Sequence, residues 1–223
     1  VDPQTSFLST ADAKGWAETP GTINVEYWKE NPIMIDDSTA LQTQIMGLMD
    51  IMAGNAAYGL EKAIDTTVNT LFQSLTDTWA GSDGQTFTDD IFISLQEGLD
   101  EGDVPRANRS LVGDPSMVAD IYKIDKFMSY DYSKRPFETD AYVGTLPAYN
   151  VPVFVSNNLS NTTTGAYGAL LHRDAIGVVI QSDLKVERFR VPWQHSDGVN
   201  VSAFYGCAVL RSTFGVEFFT RKK

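Results

Sequence analysis

The sequence is poor in the residues that build compact chemical sites. A single cysteine, Cys207, cannot close an internal disulfide and leaves no thiol cluster for zinc. Only two histidines occur, His172 and His195, so a histidine-rich metal centre is excluded by counting. Bases are scarce too: 17 Lys and Arg stand against 29 Asp and Glu, a net charge of −12. Gripping nucleic-acid phosphates depends on Lys and Arg, so that role is disfavoured. No long apolar run is present. The most apolar stretch, Ile45 to Ile64, contains Asp50, Asn55, Glu61 and Lys62, too many costly groups for a membrane span. No signal peptide is recognisable, and the chain opens on Val1, as a processed or partly ordered product would.

What is present is globular. Hydrophobic residues make up 43% and charged ones 21% of 223 residues, enough for one large domain or two small ones and too apolar for a disordered chain. The charge is divided unevenly. Residues 1–105 carry 18 acids and 3 bases, residues 106–223 carry 11 acids and 14 bases, and two copies meeting head to tail would attract.

The alternation Ile23, Val25, Tyr27 predicts a strand from Thr22 to Trp28, followed by a turn at Asn31-Pro32. Asp36, Asp37, Ser38 and Thr39 then supply caps for a helix start, with Gln42 completing a capping box from Thr39. From there Leu41, Ile45, Leu48, Met52, Ala56, Leu60, Ile64, Val68, Leu71 and Leu75 advance by three or four residues. That spacing predicts one continuous amphipathic rod, about 60 Å long from Ser38 to Asp77. Its opposite flank carries few charges, and Gly47, Gly54 and Gly59 lie inside it at up to about 1 kcal/mol each relative to alanine. A closely approaching neighbour would account for both; a helix jointed at the glycines is the alternative.

Thr88-Asp89-Asp90 predicts a cap for a second helix through Leu95 and Leu99, and Asp114-Pro115 a cap for a third through Met117 and Ile121. A strand is expected between them at Arg106 to Val112. The last third reads as strands at Ala141–Leu146, Val151–Ser156, Ala166–His172, Gly177–Gln181, Val186–Val191, Val199–Tyr205 and Ala208–Phe219. The fold class is therefore α+β.

The search for catalytic chemistry returns little. His172-Arg173-Asp174 echoes a kinase catalytic loop, but Val179 stands where the asparagine is required. No G-x-S-x-G elbow, P-loop or dinucleotide fingerprint occurs. Asp36-Asp37 and Asp89-Asp90 precede helices, where caps are expected. Cys207 lies in an apolar run without a neighbouring base and reads as a small hydrophobe. Four Asn-x-Ser/Thr sequons, at Asn108, Asn158, Asn161 and Asn200, read as chance.

The order of pieces does carry a resemblance: a strand into Ile33–Asp37, a long helix from Ser38, then Leu99 to Pro105 followed by Arg109-Ser110-Leu111-Val112 and Asp114-Pro115. After these come Pro152 to Asn157, Gly168 to His172, and a terminal stretch from Ser202 to Phe219. The set resembles the tailed-phage major capsid protein of the Hong Kong 97 type, in its podophage-like members. The resemblance implies a long spine helix, peripheral and axial domains and an extended N-terminal arm or loop. It places the end of that loop and the strand leading to the peripheral domain at residues 1–36. The spine falls at 37–80, the axial domain at 81–205, and a strand returning to the peripheral domain at 206–223. It further implies a non-enzymatic shell subunit without cofactor or metal that assembles in the host cytoplasm into hexamers and pentamers of the virion. Scaffolding, decoration and portal proteins would attend it, and the shell would enclose double-stranded DNA without sequence-specific contact. Asp36, Asp37 and Asp114 are then structural caps, and Leu41, Ile45, Leu48, Met52, Leu60 and Ile64 the packing stripe of the spine. Fewer residues precede the helix than the arm and both loop strands normally need. The alternatives are an encapsulin-type nanocompartment shell, a hydrolase using Asp100 and Asp103, and a secreted, glycosylated binding module.

Overall fold

In the computed structural model, residues 22–43, 45, 47–75, 78–124, 142–146 and 151–222 are described, with side chains omitted at 78–80 and 142–146. In chain order the elements begin with β1 (Tyr27–Asp36), α1 (Asp37–Gln42), α2 (Leu48–Thr70), β2 (Thr78–Ala80), α3 (Asp89–Glu101), β3 (Arg109–Gly113) and α4 (Pro115–Ile121). The strands β4 (Tyr142–Leu146), β5 (Val151–Val155), β6 (Gly165–His172), β7 (Ile176–Val191), β8 (Ser196–Val209) and β9 (Gly215–Arg221) follow. The α+β class is as expected.

A three-stranded antiparallel sheet has the order β1-β8-β7. β1 runs straight through Asn31-Pro32, where a turn was expected; on an edge strand proline costs the ladder little. Residues 22–26, expected to be strand, instead lie unpaired across β8, so that a Cβ at Gly206 would stand 2.2 Å from the Asn24 carbonyl. The two strands expected at 177–181 and 186–191 are one. β7 absorbs the polar Ser182-Asp183 in two irregularities, between Ile180 and Ser182 and between Ser182 and Lys185.

The expected rod is broken. Thr43 is extended at ψ 137° and Gly47 adopts φ +72°, a left-handed conformation that glycine reaches without a Cβ penalty. α2 therefore has 23 residues, about 35 Å, and continues into a 3₁₀ turn at Leu71–Ser74. Gly54 and Gly59 remain inside it. Gly59 has a local reason: its missing Cβ lies 3.3 Å from Asn31 Nδ2, which donates to the Ala56 carbonyl.

α2 packs Ala56 and Leu60 against Val199, Val201 and Ala203 of β8, with Ile33 and Ile64 alongside. Thr67 and Tyr205 hydrogen-bond through their hydroxyls at 3.0 Å. Of the expected stripe, Leu60 is buried and Ile64 packs against this core, while Leu48 and Met52 are half-buried. Leu41 and Ile45 are 87% and 55% exposed, because the break at 43–47 separates them from the α2 stripe.

The six-stranded sheet has the order β2-β9-β6-β3-β5-β4, with β2/β9 and β3/β5 parallel. Helices α3 and α4 pack Phe92, Leu95, Leu99, Met117 and Ile121 with Leu111, Val153 and Phe218 of this sheet. A smaller core joins Phe72 and Leu75, after α2, to Ala169 and Leu171 of β6 and to Ile176 and Val209 of the hairpin. The expected division at residue 205 is reversed. Residues 176–209 belong to the sheet that carries α2, and β9 belongs to the six-stranded sheet.

Candidate assembly surfaces

The face of β7 that carries Leu184, Val186, Arg188 and Arg190 turns towards the helices, since alternate residues share a side. Arg188 reaches Asp50 in the first turn of α2 at 2.5 Å. Arg190 donates to both carboxylate oxygens of Asp37 at 2.6 Å and meets Asp197 at 3.1 Å. The Asp37 N–H donates to the His195 carbonyl at 2.8 Å, fixing the hairpin tip to α1. One strand thus holds the starts of both helices, on either side of the break.

These pairs correct two expectations. Asp36 occupies the N-cap position of α1 but makes no side-chain cap bond, and the Asp37 carboxylate is committed to Arg190, whose hydrogen bonds hold its pKa below the usual range. Thr39 lies within α1, so it does not open a capping box. The third predicted cap stands: Asp114 accepts from the Ser116 N–H at 2.9 Å, ahead of Pro115. Thr88 likewise caps α3 from its hydroxyl. Part of the charge asymmetry is also consumed inside the subunit, where Asp37 and Asp50 of the acidic half pair with arginines of the basic half.

Several apolar surfaces remain uncovered by the described residues, among them one on α2, one on its sheet and one at the hairpin tip. On α2, Ile51 and Tyr58 are 52% and 69% exposed, with Gly54 and Asn55 between them on the same face. On the sheet face away from α2, Trp28 and Met34 are exposed, Trp28 lying 5.5 Å from the Phe204 ring. At the hairpin tip Trp193 projects from a 3₁₀ turn, Pro192–Gln194. Soluble monomers rarely leave several such groups bare.

A groove of about 590 Å³ lies where α2 meets the six-stranded sheet and the base of β7. Val68, Phe72, Val112, Leu171 and Val178 give it an apolar lining. Its polar rim is self-contained: Asp65 accepts from Ser156 Oγ at 3.1 Å and Asn158 Nδ2 at 2.7 Å, and Asn69 Nδ2 donates to Ser156 at 3.3 Å. Sequence reasoning did not single out Asp65. It is one of three acids in α2, with Asp50 and Glu61, and its spacing does not set it apart.

Groups considered for chemistry are structurally occupied. Asp100 is bound by Arg106 at 2.6 Å and by Arg109 at 2.7 Å, which together hold its pKa down. Arg109, almost fully buried, also donates to Gln96 and to the carbonyls of Val104 and Pro105, pinning the acidic turn to β3. His172-Arg173-Asp174 is the tight β6–β7 turn, in which the Asp174 N–H donates to His172 Nδ1 at 3.3 Å. Asn158 and Asn161 spend their amides on Asp65 and on the Leu159 carbonyl. Burial pushes the Cys207 thiol up, away from a reactive thiolate. Among the described residues no cluster of His, Cys, Asp or Glu is placed to hold a metal ion, and no helix is long and apolar enough to cross a membrane.

No protein-family model matches the sequence, and no curated protein matches it. Solved structures do. One from Mycobacterium phage Che8 superposes at a TM-score of 0.74 and 24% identity, over 98% of this chain and 81% of that one. The capsid of cyanophage P-SCSP1u aligns at 0.70 and 15% identity, over 99% and 81%. The chain has the Hong Kong 97-type capsid fold. A holo encapsulin complex from Synechococcus elongatus shares it at a TM-score of 0.63 and 12% identity, over 86% and 72% of the two chains. In capsid-fold terms α2 is the spine, shorter than the sequence predicted, and uncovered apolar surfaces lie on the spine, on its sheet and at the tip of its hairpin.

Proposed function

We propose that the chain is the major capsid subunit of a tailed phage, assembling into hexamers and pentamers of an icosahedral head that encloses double-stranded DNA. One observation carries the reading: likeness to phage shell structures over nearly the whole chain, in a subunit whose spine leaves Ile51, Gly54, Asn55 and Tyr58 bare. A neighbour's extended segment would cover that face. The role is structural and non-enzymatic, and its site is the virion. The net charge of −12 fits it, since a shell that gripped phosphates tightly would hinder entry and exit of the genome. Assembly in the host cytoplasm, with scaffolding, decoration and portal proteins in attendance, belongs to the same reading.

The likeness to an encapsulin complex favours a second reading, a nanocompartment shell. Light scattering and negative-stain microscopy of the purified protein should find particles tens of nanometres across. A solitary monomer at every concentration would defeat both readings. Nuclease-protected DNA inside the particles supports the phage head, whereas a protein cargo would replace it with the nanocompartment.

A further inference from the structure

Residues 22–26 forgo a ladder that their sequence offers them. β1 opens with Tyr27 opposite Tyr205, and Ile23, Val25 and Tyr27 keep the alternation of a strand. Continued pairing would set Glu26 opposite Gly206 and Asn24 opposite Ala208. The chain instead leaves the edge and crosses β8 as a strap. Asn24 and Val25 pass over Gly206, and the Cδ1 atoms of Ile23 and Leu210 converge over Gly177 of β7. Ile23 and Val25 are half-buried there, while among the described residues no backbone hydrogen bond ties 22–26 to either strand.

The seat of this strap is built from the two glycines. They share the face away from α2, since Tyr205, which bonds Thr67 of α2, alternates with Gly206, and Gly177 pairs with Ala208. Neither has the left-handed backbone that favours glycine, so alanine would suit its own strand as well. Glycine inside a strand weakens it and marks a place where another backbone comes close. A Cβ at Gly206 would lie 2.2 Å from the Asn24 carbonyl oxygen and 2.8 Å from Val25 Cα, main chain that yields only if the strap lifts. A Cβ at Gly177 would lie 2.7 Å from Ile23 Cδ1 and 2.9 Å from Leu210 Cδ1, two side-chain ends that can turn aside.

We propose that Gly206 and Gly177 are positioning residues for assembly. Their channel carries the chain from β1 across β8 to β7, the opposite edge of the sheet, and so fixes where and in which direction the segment before Thr22 leaves the subunit for a neighbour. Because the strap is held by shape and not by a ladder, one methyl group in the seat re-aims it while the sheet beneath stays intact. The inference rests on the self-assembly reading and assigns the aim of its extended segment to two residues.

Gly206→Ala should leave the urea midpoint of the isolated subunit unchanged and raise the protein concentration needed for particle formation by about tenfold or more. Gly177→Ala should raise it less, by about threefold. Adding Ile23→Val, which removes the Cδ1 in the way, should return Gly177→Ala to the wild-type concentration, a rescue that a glycine serving only its own strand would not show. Gly206→Ala particles forming at the wild-type concentration, or an assembly loss that follows a fall in urea midpoint, overturn the inference and leave the shell reading intact. Should Gly206→Ala fail to fold, the Gly177 variants decide, and an assembly loss that Ile23→Val does not rescue overturns it. Wild-type protein that never forms particles overturns both.

Discussion

At the scale of single residues, the chain spends its charges on holding itself together. Arg109 shows how far: its guanidinium, 1% exposed, joins α3, the acidic turn and β3 through Gln96, Asp100 and two carbonyls. Removing one member of a buried ion pair costs about 3–5 kcal/mol, and Asp100 is partly solvated, so Arg109→Met should cost about 3 kcal/mol in urea unfolding. A loss under about 1 kcal/mol would show that the network adds little. The caps at Asp114 and Thr88 were legible because a cap is a local device, an acceptor one turn ahead of an apolar run. Asp36 and Asp37 have the same local pattern. There Arg190, 153 residues further on, captures the carboxylate, and no local pattern announces such a partner.

The elements tell a similar story about range. Leu60 and Ile64 were readable as packing residues from their spacing, as were the helix around Leu95 and Leu99 and most strands of the last third. The break at Thr43–Gly47 was not, because three glycines stand in the periodic stretch and spacing does not say which one turns left-handed. Only Gly47 does, and it detaches Leu41 and Ile45 from the core stripe. Gly54 is the opposite case: helical, exposed, and with nothing within 4 Å of where its Cβ would be. The subunit itself supplies no reason for it. Gly54→Ala should therefore stabilise the isolated subunit by about 0.5–1 kcal/mol in urea. The same substitution should weaken particle formation if a neighbour's backbone passes over this face. Assembly at the wild-type concentration would mean that no chain approaches there.

For the whole molecule, Asp37 with Arg190 and Asp120 with Arg221 are ion pairs that tie distant stretches of chain, and Asp100 with Arg109 is one that closes the acidic turn. Asp120 is buried, which alone would raise its pKa. Hydrogen bonds from Arg221, Lys123 and the Phe87 N–H outweigh that burial and lower it. All three aspartates thus have folded pKa values below those of the unfolded chain, near 3.9. Their contribution is complete above that value and lost as pH falls through the lowered ones. The urea midpoint should be level between pH 7 and pH 5 and drop at pH 3; a midpoint unchanged at pH 3 would contradict it. Sheet order was the least legible property. Runs of β-branched residues mark strands, but nothing local to Ile176–Val209 announces that this hairpin leaves the six-stranded sheet to back α2.

The two irregularities in β7 give that arm a tolerance for changes in length. Ile180 pairs with Tyr205 and Lys185 with Ser202, so β7 carries two extra residues against β8. Two is an even number, and Ile176 at the base and Arg190 near the far end therefore emerge on one side. Deleting a single residue such as Asp183 would remove one irregularity and leave Arg188 opposite Val199 and Arg190 opposite Asp197, on the side of the helix acids they clasp. The arm can therefore gain or lose one residue at this point without turning over, a tolerance that an unbroken ladder would not have.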